Sequence, residues 1–318
     1  MPSGWQGLAL LFVASLVVGV VVLTLWTRRM LTHPPRRTYA GALARGRPGD
    51  PSEIAPPLGP LTFQSWRFES RGATLPVWDV AGNRSDGPVV VLAHGWGDSR
   101  IGALSRAAVL APHCSRLILW DMPGHGEAPG VCALGLGEVD DLVALLEVLR
   151  RDRELAAPVV LMGWSLGAGV SIAAAAARPG LVGAVIAENP YRLASTPARN
   201  VLAGAHLPYR LNLPLAMALH ALRLGWRARD LDGPRFDRAG LARGLGCPLL
   251  VLAGERDVVS PAADGRAIAL AGGGRFVLVP GGEHHGLWTN PVSSGVMGRE
   301  CGAFLDATIR SQASVGPG

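Results

Sequence analysis

Residues 161–169 read LMGWSLGAG, with a serine between two glycines where one apolar run ends and an alanine-rich one begins. Glycine and serine are poor residues for the interior of a strand or a helix. Gly163, Ser165 and Gly167 at alternate places therefore predict a sharp corner. The stretch before the corner, PVVLMG, reads as a buried strand, and LGAGVSIAAAAA after it reads as a helix.

Working outward, the same alternation recurs. LTFQSWRFES and ATLPVWDV, separated by Arg71 and Gly72, predict an antiparallel hairpin. VVVLAH, RLILWD, PVVLMG, LVGAVIAE, PLLVLAG and RFVLVP follow as strands, with helical stretches such as IGALSRAAVLA, EVDDLVALLEVLRRD and VMGRECGAFLDATI between or after them. This order predicts an α/β domain over residues 61–312: a mostly parallel sheet of about eight strands with helices on both faces. Residues 189–246 interrupt the alternation with leucine-rich, arginine-flanked segments such as LPLAMALHALRLGW. They are expected to form a helical cap over the carboxyl ends of the strands, where functional groups collect in such sheets.

The chain has 318 residues, of which 49% are hydrophobic and 17% charged, so a large core is available. There is no lysine; all thirty basic side chains are arginine. Schiff-base chemistry and a Walker A phosphate loop are thereby excluded. The net charge of +6 equals the six acid-free arginines 28, 29, 36, 37, 45 and 47, and no basic stripe with interleaved aromatics appears, which argues against nucleic acid as a partner. Cys114, Cys132, Cys247 and Cys301 lack CxxC spacing and read as free thiols packed as small hydrophobes. No metal or cofactor is expected.

Residues 4–26, GWQGLALLFVASLVVGVVVLTLW, carry no charge. As a helix they reach roughly 35 Å, enough to cross a hydrocarbon core of about 30 Å. Trp5 and Trp26 mark the two ends. A cleaved signal peptide would want a positive stretch before the run, whereas TRRMLTH follows it. The reading is a retained anchor with the C-terminal domain in the cytoplasm, by the positive-inside bias. Residues 27–60, rich in proline, glycine and arginine, are expected to be an irregular juxtamembrane linker with affinity for anionic lipid heads.

Three residues complete a chemical constellation. A serine hydroxyl is a weak nucleophile unless a base takes its proton, and the base needs an acid to orient it. Asp257 lies in the loop after PLLVLAG, and His284 and His285 in the loop after RFVLVP. The GxSxG corner, the chain order Ser, Asp, His, the segment AHGWGDSR after VVVL and the segment DMPGHGEA after RLILW together resemble the α/β-hydrolase superfamily over roughly residues 61–310.

The resemblance implies a serine hydrolase in which Ser165 is the nucleophile, Asp257 the acid and His284 the base. The spacing Pro-Gly-x-x-His, met here as PGGEH, selects His284 over its neighbour His285, and Glu188 is the rival acid. Backbone N–H groups of Trp96 and Leu166 are the implied oxyanion hole. Trp164 and His94 are candidate substrate contacts; Trp96 and Trp164 can line the pocket or equally be plain packing residues, and His94 and His125, as members of motif loops, are expected to hold those loops by hydrogen bonds rather than to transfer protons. The implied chemistry is acyl transfer from an ester to water, with thioesterase, amidase and peptidase activities as alternatives on the same triad, and a non-catalytic binding protein on the same fold as a further one. The anchor points to lipid-like or acyl ester substrates.

Overall fold

The computed structural model describes residues 4–55, 59–152, 155 and 158–313. In chain order it contains α1 (Gly4–Thr32), α2 (Tyr39–Leu43), β1 (Phe63–Ser70), β2 (Ala73–Ala81), β3 (Val89–Ala93), α3 (Leu104–Leu110), β4 (Arg116–Trp120), α4 (Glu138–Asp152), β5 (Val159–Trp164), α5 (Leu166–Ala177), β6 (Val182–Glu188), α6 (Ser195–Gly204), α7 (Asn212–Arg223), α8 (Arg238–Ala242), β7 (Leu249–Gly254), α9 (Ala262–Ala271), β8 (Arg275–Val279) and α10 (Pro291–Ala313).

The eight strands form one sheet in the order β1-β2-β4-β3-β5-β6-β7-β8. Only β2 runs antiparallel to its neighbours, and every other pairing is parallel. The hairpin turn falls on Arg71 and Gly72, both at positive φ (45° and 74°), as a tight two-residue hairpin requires. β5 and β7 are buried at every position, which is why their sequences are continuous apolar runs rather than alternating ones.

Two cores flank the sheet. Leu142, Leu145 and Leu149 of α4, Ala168 and Ile172 of α5 and Ile268 of α9 pack on one face. Leu104, Ala107 and Leu110 of α3 and Met297, Cys301 and Leu305 of α10 pack on the other. A third, smaller core joins α6 and α7 through Ala198, Leu202, Leu213, Met217 and Ala221, with Tyr191 and Phe236. Within the expected insertion, α8 does not belong to this cap. It packs against α5 and α9 as part of the helical layer, because the chain has by then returned to the body ahead of β7.

The segment expected to be an irregular linker is different in the structure. α1 continues six residues past Trp26, to Thr32, and the chain beyond it is laid onto the body. The Thr32 carbonyl accepts from the Cys132 amide at 2.9 Å. Arg36 donates to the carbonyls of Gly126 and Ala128 at 3.0 and 2.8 Å, and Arg37 pairs with Asp98 at 3.2 Å. Ile54 and Leu61 are buried in the α3–α10 core. Arg36 and Arg37 are thus held by protein groups, because backbone carbonyls and a carboxylate meet them where the chain crosses the body. The residues 56–58 of the expected linker lie outside those described.

Candidate active site

Ser165 follows the last residue of β5 and caps α5 with φ 53° and ψ −115°, a conformation that a side-chain-bearing residue adopts only under constraint. The flanking glycines supply that constraint by closeness. A Cβ on Gly163 would stand 2.1 Å from the Gly167 carbonyl oxygen, and one on Gly167 would stand 2.0 Å from that of Ala93. β5 therefore approaches α5, and α5 approaches β3, more closely than any side chain permits. The serine is lifted above the sheet edge at the N-terminus of α5.

His284 and Asp257 reach the same point from the loops after β8 and β7. His284 Nε2 is 3.0 Å from Ser165 Oγ, and His284 Nδ1 is 2.7 Å from Asp257 Oδ2. The other Asp257 oxygen accepts the amides of Val259 and Ser260 at 2.8 and 2.7 Å. With Nδ1–H donating to the carboxylate, Nε2 faces the hydroxyl as an acceptor. The Asp257 carboxylate is fully buried and the imidazole nearly so, and the serine is 8% exposed. His285 stands edge-on to His284, ring centroids 4.9 Å apart, without a hydrogen bond to Ser165 or Asp257.

Trp96 lies on the turn after β3, and Leu166 is the first residue of α5. Neither backbone amide donates to a carbonyl among the described residues. The Trp96 indole donates to the Leu31 carbonyl of α1 at 2.8 Å.

The two candidate substrate contacts, His94 and Trp164, are buried. His94 is fully buried, with Nδ1 bonded to the Gly95 carbonyl at 2.8 Å and Nε2 accepting the Met122 amide at 2.9 Å. Both ring nitrogens are used by backbone, so His94 joins the loop after β3 to the loop after β4 instead of facing a ligand. Trp164 is buried beneath the corner with the Arg106 guanidinium 3.7 Å from its ring centre. His125 packs edge-on to His94 at 4.8 Å and bonds the Pro123 carbonyl. Burial pushes His94 down to about 4 and His125 to about 3, so both rings are neutral at neutral pH.

Glu188 is occupied elsewhere. Arg106 grips it with two hydrogen bonds of 2.9 and 2.6 Å, and the Trp288 indole donates to it at 2.8 Å.

One residue of the site has no motif to announce it. Asn189, the first residue after β6, accepts the Gly254 amide at 2.8 Å. It donates to the carbonyls of Glu283 and His284 at 3.2 Å each. It ties the end of β7 to the histidine loop. Its only sequence signal is position, one residue beyond the strand neighbouring the corner. Among the described residues, no group of three His, Cys, Asp or Glu side chains is arranged to hold a metal ion.

A serine on a strained strand-to-helix corner after β5, a buried carboxylate after β7, an imidazole after β8 and a sheet of this order define a class of fold. Residues 90–293 match the alpha/beta hydrolase family, and the chain belongs to it. Pimeloyl-[acyl-carrier protein] methyl ester esterase of Stenotrophomonas maltophilia is 33% identical over 239 residues, covering 62% of this chain and 86% of that protein. Mouse protein phosphatase methylesterase 1 is 30% identical over 167 residues, covering 49% of this chain and 43% of that protein. The aligned part thus spans less than half of the mouse relative. Among solved structures, an esterase of Pyrococcus furiosus superposes with a TM-score of 0.63 at 18% identity, covering 87% of this chain and 98% of that one. The enol-lactonase of Burkholderia xenovorans gives 0.55 at 22%, covering 76% and 99%. These two likenesses concern the fold.

Proposed function

We propose that this chain is a membrane-anchored serine hydrolase that cleaves carboxylic esters of lipid-like or acyl substrates. The observation that carries the reading is the unbroken line from Ser165 Oγ through the His284 ring to Asp257, at 3.0 and 2.7 Å. His284 Nε2 takes the hydroxyl proton as Ser165 attacks the ester carbonyl, and the oxyanion forms against the Trp96 and Leu166 amides at the positive end of α5. His284 returns the proton to the departing alcohol. It then activates the water that cleaves the acyl-enzyme. Asp257 holds the tautomer and stabilises the imidazolium. Two relatives whose names carry methyl ester hydrolysis support an ester rather than a thioester or amide bond.

The anchor is α1, whose residues 5–32 are long and apolar enough to cross a bilayer and whose first part, Trp5 to Gly19, is left almost wholly uncovered by the domain. The arginines that follow the span support, by the positive-inside bias, a cytoplasmic hydrolase domain.

A fluorophosphonate probe tests the nucleophile. Wild type is labelled, and Ser165→Ala is not. Equal labelling of the two would remove Ser165 from this role. Esters of graded acyl length, simple methyl esters and lysophospholipids, compared on the full chain in detergent, then rank substrate classes.

A further inference from the structure

We infer that α7 is a second membrane element, an interfacial helix that lies in the lipid headgroup and upper acyl region beside α1. This rests on the reading of α1 as a span and adds to it. Three independent features of the cap carry it.

The first is the face that α7 leaves uncovered. Leu213, Ala216, Met217, His220 and Ala221 are buried in the cap core. On the opposite side Leu211, Leu215, Leu219 and Leu222 are 72, 47, 41 and 64% exposed. Their spacing of four, four and three residues sets them in one narrow stripe along the helix. A helix apolar on both faces is out of place on a water-facing surface.

The second is depth. The uncharged run of α1 ends at Trp26, yet the domain begins to cover the helix earlier. Val20 and Leu23 are half-buried, and Thr24 and Thr27 are buried. α7 is the element packed alongside, with Asn212 donating to Thr27 Oγ1 at 2.6 Å. Residues 20–26 therefore lie both within the apolar span and within the domain's cover. That overlap is roughly 10 Å along the helix axis. With α1 in a bilayer, its packing partner is drawn down to the depth at which amphipathic helices rest, about 5–10 Å into the headgroup and acyl boundary.

The third is charge. From residue 189 to residue 229 the chain has six arginines (192, 199, 210, 223, 227 and 229) and no acidic residue before Asp230, and of these Arg192 is paired with Asp237 at 2.7 Å, which leaves Arg210 and Arg223 as the charges beside α7. Arg210 and Arg223 are exposed at the two ends of α7. Arg28 and Arg29 follow the apolar run of α1. Guanidinium groups that rim an apolar stripe match a bilayer with anionic lipids, whose phosphates they meet while the leucines enter the acyl region.

The experiment uses the full chain in vesicles of phosphatidylcholine and phosphatidylglycerol, with Cys247→Ser as background. An environment-sensitive fluorophore is attached at Leu215→Cys, Leu219→Cys, Val17→Cys or Leu270→Cys, all exposed positions, the last on α9. Expected is loss of emission by lipid-borne quenchers at 215 and 219, from shallow labels, and at 17, from deep ones. Position 270 responds only to aqueous iodide. Quenching by lipid at 17 but by iodide at 215 and 219 overturns the proposal and leaves the anchor standing. No lipid quenching at 17 overturns the anchor as well. Shielding of 215 and 219 from both quenchers means that a protein surface covers the stripe, which also overturns the proposal.

Discussion

Ser165 and Asn189 both have positive φ, 53° and 45°, and each is the first residue beyond a parallel strand. Strain of this kind costs about 1–3 kcal/mol per residue and persists where its surroundings over-determine it. At Ser165 the surroundings are the close passage of β3, β5 and α5. At Asn189 they are three backbone partners on two further loops. Asn189→Ala removes those three hydrogen bonds, and a loss of about 2–3 kcal/mol in urea unfolding is expected. A purely structural role would end there. Because two of the bonds hold the His284 loop, the rate of fluorophosphonate labelling at Ser165 is also expected to fall, about tenfold, at temperatures where the variant is fully folded. An unchanged labelling rate would limit Asn189 to stability.

At the scale of elements, the loops after β3 and β4 are coupled through His94, whose neutral ring accepts the Met122 amide, and through Asp121, which accepts the amides of Arg100 and Glu127 at 2.7 and 2.9 Å. In the folded chain burial holds His94 near 4, against an ordinary value of 6.5. The unfolded chain therefore binds more protons between these values, and stability falls as pH falls through that window. For His94 the full loss is about 3 kcal/mol, and His125 acts in the same direction. Asp121 and Glu138, which burial raises, act in the opposite direction. The check is therefore a difference. His125→Phe is expected to lose less stability than wild type between pH 6.5 and 4.5 in urea titrations. A parallel pair of curves would refute it.

How much of this was legible beforehand follows from how local each signal is. The corner at Ser165, the hairpin at Arg71 and Gly72 and the helix Glu138–Asp152 are written in adjacent residues, and the structure has them at those places. The positions of Asp257 and His284 followed from strand order, since each stands just past a parallel strand. For His94 and Trp164 the sequence leaves a substrate contact and a structural role both open, because a motif names a residue without saying which way its side chain turns. Both turn into the interior, toward the Met122 amide and the Arg106 guanidinium. Asn189 was missed because its partners are backbone atoms, which leave no pattern in the sequence. The ordered course of residues 27–55 was also hidden, since Arg36 and Arg37 owe their places to carbonyls and a carboxylate far along the chain.

Across the whole molecule, the division between the proposed anchor and the body falls inside α1 rather than after the expected linker. Leu31, Ile54 and Leu61 are core residues, while Trp5 to Gly19 have almost no cover. A chain beginning at Val20 is expected to melt within a few degrees of the full chain in detergent. One beginning at Leu61 is expected to lose on the order of 3–5 kcal/mol, because Leu31, Ile54 and the Leu31 carbonyl leave together. Equal melting temperatures for the two truncations would mean that the packing of residues 20–60 is energetically idle.

The bond from the Trp96 indole to the Leu31 carbonyl has a mechanical consequence. It fastens the turn that carries one amide of the proposed oxyanion site to the last helical turn of α1. A spanning helix leans to suit the thickness of the sheet of lipid around it. With α1 spanning a bilayer as proposed, such leaning bears on that turn through this bond, and the proposed hydrolysis of even a freely dissolved ester is expected to vary with the thickness of the host bilayer.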